Sequence, residues 1–348
     1  MSRELTYCQA LNEAMHQEMQ RDEGVFVYGI DVADHKRTFN SHAGLVEAFG
    51  PSRCFSTPLS EDAMTGFGLG AALNGLRPIH VHMRVDFFLL CMNQLANMIA
   101  CQRYATGGRL GAPMVIRAII GRGWGQSFQH SKTLQSWFAH LPGVKVVMPS
   151  TPKDAKGMLA AAIRSDDPVV SIEHRWLYDA VGDVPEAAYE TPLEGAQVLR
   201  AGSDITLLAT SWMNVEAMQA AEILQRLHGV QAEVIDARSI SRFDADTVCG
   251  SVARTGRLLI ADNDWLYCGF SAEAATQVYD QLHGQLKGPI QRVGLSETHC
   301  PCTRPLENVF YQNAIQIIRS VERQLGLPEA DLSAEHFYSY EHKFRGPF

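Results

Sequence analysis

Glu61 and Asp62 stand where carboxylates are costly. They open the apolar, glycine-threaded stretch Glu61-Asp-Ala-Met-Thr-Gly-Phe-Gly-Leu-Gly-Ala-Ala-Leu73, just after the extended run Cys54-Phe-Ser56 and the pair Thr57-Pro58. The spacing predicts a helix, and on residue types alone Glu61 is an N-terminal acid favoured by the helix dipole. Gly66, Gly68 and Gly70 each cost about 1 kcal/mol against alanine in a helix interior. Gly66 and Gly70 share one face, bare enough for another backbone to approach closely. Two readings of that face stay open: tight packing within the chain, or tight packing of two such helices across a subunit interface. His130 follows the glycine-rich loop Gly121-Arg-Gly-Trp-Gly-Gln126, and residue types alone give such a histidine no role. The chain has no strand-GxGxxG-helix fingerprint, Walker loop, HExxH or GxSxG, and Gly66-Phe-Gly-Leu-Gly70 has the wrong spacing for a dinucleotide turn. The hard chemistry would then belong to a cofactor or a partner chain.

The elements that must position these residues alternate. In the first half, helices are expected over 7–21, 43–49, 61–73, 87–103 and 153–164, and strands over 25–28, 78–83, 113–120, 144–148 and 169–173. After an acidic, proline-containing lapse, strands over 205–209, 232–235, 258–261 and 289–293 alternate with helices over 215–227, 245–253, 271–282 and 311–325. Such alternation implies an α/β fold of two domains, each with a mostly parallel sheet flanked by helices. The expected divisions are 1–178, a linker over 179–194, a second domain over 195–326, and an aromatic tail over 327–348. The tail carries Phe337, Tyr338, Tyr340, Phe344 and Phe348, and so much aromatic surface is expected to dock on a partner subunit.

Composition narrows the function. A length of 348 residues suits about two domains and a large core, so no disulfide or structural metal is needed. A net charge of −8 with no basic block argues against nucleic acid and anionic membranes. Apolar runs such as Phe87–Met92 fall far short of the roughly 20 residues of a membrane span, and no signal core opens the chain. Among the eight cysteines, only Cys300-Pro-Cys302 is a close pair, spaced wrongly for common zinc knuckles. Reduced thiols and a cytoplasmic location are the expectation.

Five ordered motifs carry a resemblance to a known family. They are LNEAMHQEMQRDEGVFVYGIDVAD (11–34), TPLSEDAMTGFGLGAALNGLRPI (57–79), QHSKTLQSWFAHLPGVKVVMPSTPKDAKGMLAAAIRSDDPVV (129–170), GSDITLLAT (202–210) and VIDARSISRFDADTV (234–248). Over roughly residues 5–325 the chain resembles the beta subunit of the thiamine-diphosphate-dependent 2-oxo acid dehydrogenases, of the transketolase-like superfamily. The resemblance implies a pyrimidine-binding domain followed by a transketolase C-terminal-like domain. It implies that Glu61 hydrogen-bonds a ring nitrogen of the cofactor's aminopyrimidine and so promotes loss of the thiazolium proton. Phe87 would pack on that ring, with Leu59 and Met83 as apolar neighbours, and His130 would act at the substrate channel. A potassium site in some relatives maps to Met114, Ala162, Ile163, Ser165 and Asp167, with Ser165 in place of the usual Asp.

The resemblance also implies what other chains supply. The diphosphate and its magnesium are bound by a Gly-Asp-Gly…Asn motif on an alpha subunit, and no Gly-Asp-Gly occurs here. An alpha2beta2 assembly follows, active only with alpha, serving a lipoyl acyltransferase or another acyl carrier. Departures from the pattern are Ile30 and Asn93, where relatives carry acids lining a water-filled tunnel, and Lys132, where Gln is common. Two other readings compete. One is the cofactor-activating half of a split transketolase-like enzyme, moving a two-carbon ketol unit with His80, His82 and Arg84 toward a sugar phosphate. The other is a scaffold paralogue without catalysis, against which Glu61, Phe87 and His130 argue.

Overall fold

The computed structural model describes residues 2–35, 37–121 and 126–338. Most of the Gly121–Gln126 loop and the tail aromatics Tyr340, Phe344 and Phe348 therefore lie outside the described residues. The chain divides into two compact units, residues 1–120 with 137–193, and residues 121–136 with 194–348.

The first unit runs β1 (Ser2–Thr6), α1 (Tyr7–Arg21), β2 (Val25–Gly29), α2 (Leu45–Phe49), β3 (Cys54–Ser56), α3 (Glu61–Leu73), β4 (Arg77–His82), α4 (Val85–Phe88), α5 (Gln102–Ala105) and β5 (Val115–Ile120). After α6 (Gln135–Ala139), which begins at the junction with the second unit, come β6 (Lys145–Val147), α7 (Pro152–Arg164), β7 (Val169–His174) and β8 (Val181–Pro185). Six strands form one parallel sheet in the order β3-β2-β4-β5-β7-β6. Its central strands are almost wholly buried, as in a parallel sheet covered on both faces, although they include polar side chains such as His80, His82 and Glu173. Arg117 of β5 is also fully buried, and is held by Glu173 of β7 through two bonds of 2.6 and 2.8 Å. Tyr178 Oη donates to the same carboxylate at 2.7 Å, and His42 Nε2 lies 2.8 Å from Arg117 Nη1. These partners replace the water that both charges gave up.

α1 starts on the expected capping box, Thr6 with Gln9. Part of the span read as a linker is structured: β8 pairs antiparallel with β1, Arg3 opposite Val184. The helix expected over 87–103 is instead a series of short turns, with α4 followed by a 3₁₀ turn (Leu89–Cys91), a π-helical turn (Gln94–Ile99) and α5. Apolar periodicity marks the buried face, which all three helix types share, and is blind to the size of the hydrogen-bonded ring.

The second unit contains β9 (Gln197–Arg200), β10 (Ile205–Ala209), α8 (Met213–His228), β11 (Ala232–Asp236), α9 (Ala245–Thr255), β12 (Leu258–Trp265), α10 (Phe270–Leu282), β13 (Gln291–Leu295), α11 (Arg304–Phe310) and α12 (Ala314–Leu325). Its sheet order is β13-β12-β10-β11-β9, parallel except for the edge strand β9. Of the tail, residues 327–338 are described: Leu332 and Phe337 pack on the core of this same unit, and the Tyr338 ring meets Trp212 edge-on at 5.3 Å.

Candidate active site

In the first unit the chain passes from β2 to β3 on one side, then crosses back so that β4 lies on the other side of β2. Connections leaving in opposite directions open a crevice at the carboxyl ends of the strands, where open α/β sheets bind ligands. Leu59 and Glu61 lie just beyond the carboxyl end of β3, and Met83 and Phe87 just beyond that of β4. The topology therefore brings four expected cofactor residues to one edge of one sheet.

Thr57 N donates to Gly29 O at 3.0 Å, tying the loop before the helix to the end of β2. Glu61 is the first residue of α3 and is partly buried, whereas Leu59 is 79% exposed and Phe87 38% exposed. Large apolar side chains left open beside a carboxylate suit a flat ring with an apolar face and a polar edge. Beneath them, burial pushes the Cys91 thiol up to about 12, and the charges of Glu61 and Asp62 add to the rise. Asp62 accepts a long bond of 3.4 Å from Gln94, and Asn93 Oδ1 accepts from Asn97 at 2.9 Å. Ile30 directly follows β2.

Tyr28 of β2 fixes how α3 sits. Its hydroxyl donates to Met64 O at 2.9 Å and its ring stacks on His80 at 4.5 Å. His80 Nδ1 lies 3.2 Å from Thr65 Oγ1, so two strand side chains grip one turn of the helix. Gly68 packs over Tyr28, where a methyl group would collide with the hydroxyl, while Gly70 has nothing within 4 Å. Gly68 thus serves packing inside the chain, and Gly70 leaves its own side of α3 open.

His80 and His82 do not offer positive charge. Burial holds the His82 imidazole down at about 3 and His80 well below its ordinary value, so both are neutral. Arg84 is buried, with Nη1 donating to Met83 O at 2.8 Å and its guanidinium 5.3 Å from the Phe39 ring centre. At the expected potassium positions the oxygens already have partners. Arg77 Nη1 already donates to Ile163 O at 3.1 Å and Ser165 O at 2.9 Å. Ala162 O accepts from Ser165 N, Met114 O from Val169 N, and the Asp167 side chain pairs with Arg103. Among the described residues no group of three acids, histidines or cysteines could hold a metal, and all eight cysteines are free thiols.

His130 belongs to the second unit, at the end of a 3₁₀ turn over Ser127–His130. Ser131 Oγ donates to Ser127 O at 2.8 Å, Lys132 Nζ to Phe128 O at 2.7 Å, and Ser127 Oγ to Cys300 O at 3.3 Å. Sequence reasoning missed two buried acids in this unit, Asp262 and Asp264. The available signal was a pair of acids two apart at the carboxyl end of an apolar strand, Leu258-Leu-Ile-Ala-Asp-Asn-Asp-Trp265.

Residues 3–180 match the family model described as the transketolase pyrimidine-binding domain, and residues 194–317 match the transketolase C-terminal domain. The chain is 39% identical to the beta subunit of the acetoin:2,6-dichlorophenolindophenol oxidoreductase of Cupriavidus necator, over 93% of this chain and 98% of that one. It is 35% identical to the pyruvate dehydrogenase E1 component subunit beta of Rickettsia felis, over 92% and 98% respectively. A solved split-gene transketolase, described as an inactive beta4 tetramer, shares the fold at a TM-score of 0.73 and 20% identity, covering 93% of this chain and 99% of its own. The chain therefore belongs to the transketolase-like beta-subunit family that includes the beta subunits of pyruvate dehydrogenase E1 components.

Proposed function

We propose that this chain is the beta subunit of a heteromeric thiamine-diphosphate-dependent enzyme of the 2-oxo acid dehydrogenase type. It would decarboxylate a 2-oxo acid and pass the acyl group to a lipoyl or other acyl acceptor. The observation that carries this reading is the gathering of Leu59, Glu61, Met83 and Phe87 at one sheet edge, in a chain with no Gly-Asp-Gly. When bound, the cofactor supplies an acidic ring carbon and an electron sink for the bond that breaks. Glu61 would share a proton with the aminopyrimidine nitrogen, a role suited to a partly buried carboxylate at the start of a helix. Leu59, Met83 and Phe87 hold the ring and keep water from it. His130 donates a hydrogen bond to the substrate carboxylate or assists acyl transfer. Magnesium needs hard oxygen ligands, which fall to the alpha subunit of an alpha2beta2 assembly. No step is assigned to potassium.

The acetoin oxidoreductase relative favours a second substrate, acetoin or another α-hydroxyketone. Both are tested by co-expression with the candidate alpha chain and a screen of 2-oxo acids and acetoin with 2,6-dichlorophenolindophenol as acceptor. Glu61→Gln keeps the shape and removes the shareable proton, so it is expected to assemble and lose nearly all turnover. Near-normal turnover with cofactor bound would overturn the assignment.

A further inference from the structure

Between β5 and α6 the chain leaves the first unit, and residues 121–136 belong to the second. We propose that Asp262 and Asp264 are positioning residues, a buried carboxylate pair that clasps this segment and so sets the place of His130. The inference rests on the role given to His130 above.

The clasp is built from donors on both sides. Asp262 Oδ1 accepts from Gln135 Nε2 at 3.0 Å and from Thr210 Oγ1 at 2.9 Å, and its Oδ2 accepts from Ser271 N at 3.2 Å. Asp264 Oδ2 accepts from Ser136 Oγ at 2.8 Å, and its Oδ1 accepts from Trp265 N at 2.8 Å and, more weakly, from Thr133 Oγ1 at 3.5 Å. Ser136 Oγ in turn accepts from Phe270 N at 2.9 Å. Thr133, Gln135 and Ser136 are thus tied to the end of β12 and the start of α10 within six residues of His130. Gln135 is fully buried, and its Oε1 has no partner among the described residues. Leaving that oxygen buried and unpaired costs free energy, which the bond at the other end of the amide partly offsets.

Two carboxylates suit this place better than two amides. An ionised carboxylate is acceptor-only, and six donors point at the pair. An asparagine would set one N–H against another donor. Burial and the Asp264 charge push Asp262 up to about 7 and burial raises Asp264, opposing the ionised form that the donors favour.

The test uses the enzyme assembled with its alpha chain. Asp264→Asn and Ser136→Ala each weaken the clasp, and the serine variant leaves both acids in place should the other fail to fold. Three quantities are read: turnover, exchange of the cofactor's thiazolium hydrogen for deuterium, and deuterium uptake by the backbone of residues 121–136. Turnover is expected to fall about tenfold or more, since misplacement by an ångström costs that much. Thiazolium exchange, which depends on Glu61, is expected to stay within about twofold of wild type, and uptake over 121–136 to rise. In a His130→Ala background either variant is expected to add little further loss. Equal fractional losses in both backgrounds, or unchanged uptake, would overturn the proposal. If His130→Ala alone keeps full turnover, the functional reading of His130 fails, and the uptake measurement still judges the clasp.

Discussion

Replacing Gly68 with alanine pits helix propensity against packing, and the structure decides the sign. A methyl group there would lie 3.1 Å from Met114 Cε and 3.2 Å from Tyr28 Cζ, with the Tyr28 hydroxyl nearer still. Tyr28 cannot retreat without leaving its stack on His80 or its bond to Met64 O. Overpacking costs about 1–3 kcal/mol and a weakened hydroxyl bond about 1 more, against a gain of about 1 from helix propensity. The net is a destabilisation of about 1–3 kcal/mol, or roughly 5 °C in the melting of the first unit. Gly70→Ala meets nothing within 4 Å, so propensity alone acts and the isolated chain should gain up to about 1 kcal/mol. If the open side of α3 is a subunit interface, Gly70→Ala should also weaken assembly. Differential scanning calorimetry of the isolated chain, with light scattering of the assembled enzyme, reads both effects. A Gly68→Ala chain that melts at or above the wild-type temperature would refute the packing argument.

Three further outcomes are expected. Because Asp262 binds its proton more tightly folded than unfolded, its contribution is full below the unfolded carboxylate range and is lost as pH rises toward about 7; the stability advantage of wild type over Asp262→Asn should shrink by up to about 1.4 kcal/mol per pH unit across that window, and a pH-independent gap in urea titrations would contradict it. Glu173→Gln leaves Arg117 buried without its counter-charge and should cost about 3–5 kcal/mol, on the order of 10 °C, by thermal melting monitored by circular dichroism. Thiamine diphosphate should bind the isolated chain weakly and gain tight, magnesium-dependent binding only with alpha; calorimetry showing tight binding to the chain alone would count against the shared site.

Much of the fold was legible because it rests on apolar runs. The parallel strands, buried on both faces, read as continuous hydrophobic stretches, and Thr6 announced its helix through a capping box. The strands that were not read, β1, β8 and β9, are short, paired at edges and rich in polar residues, so no periodicity marks them. β12 was read to Ala261 and continues to Trp265, because acids normally end a buried strand and here six donors keep them inside. Glu61 was legible as an oddly placed acid, whereas Leu59, Met83 and Phe87 came only with the family resemblance, because no local pattern states that β4 crosses to the far side of β2. The partners of Thr133 and Gln135 were equally hidden, since they lie more than 120 positions downstream.

That separation bears on how the chain is made. The second unit is assembled from two lengths of polypeptide, the earlier of which is synthesised in the middle of the first unit. Thr133 leaves the ribosome 131 positions ahead of Asp264, a delay on the order of ten seconds at ordinary elongation rates. Through that interval Thr133, Gln135 and Ser136 lack the partners that β12 and α10 later bring. The strands of the first unit are all synthesised before β12, which carries the partners of Thr133, Gln135 and Ser136. Truncation after residue 193 and before Asp262 would leave a nascent chain with the whole first unit and without the carboxylates that accept from Thr133, Gln135 and Ser136.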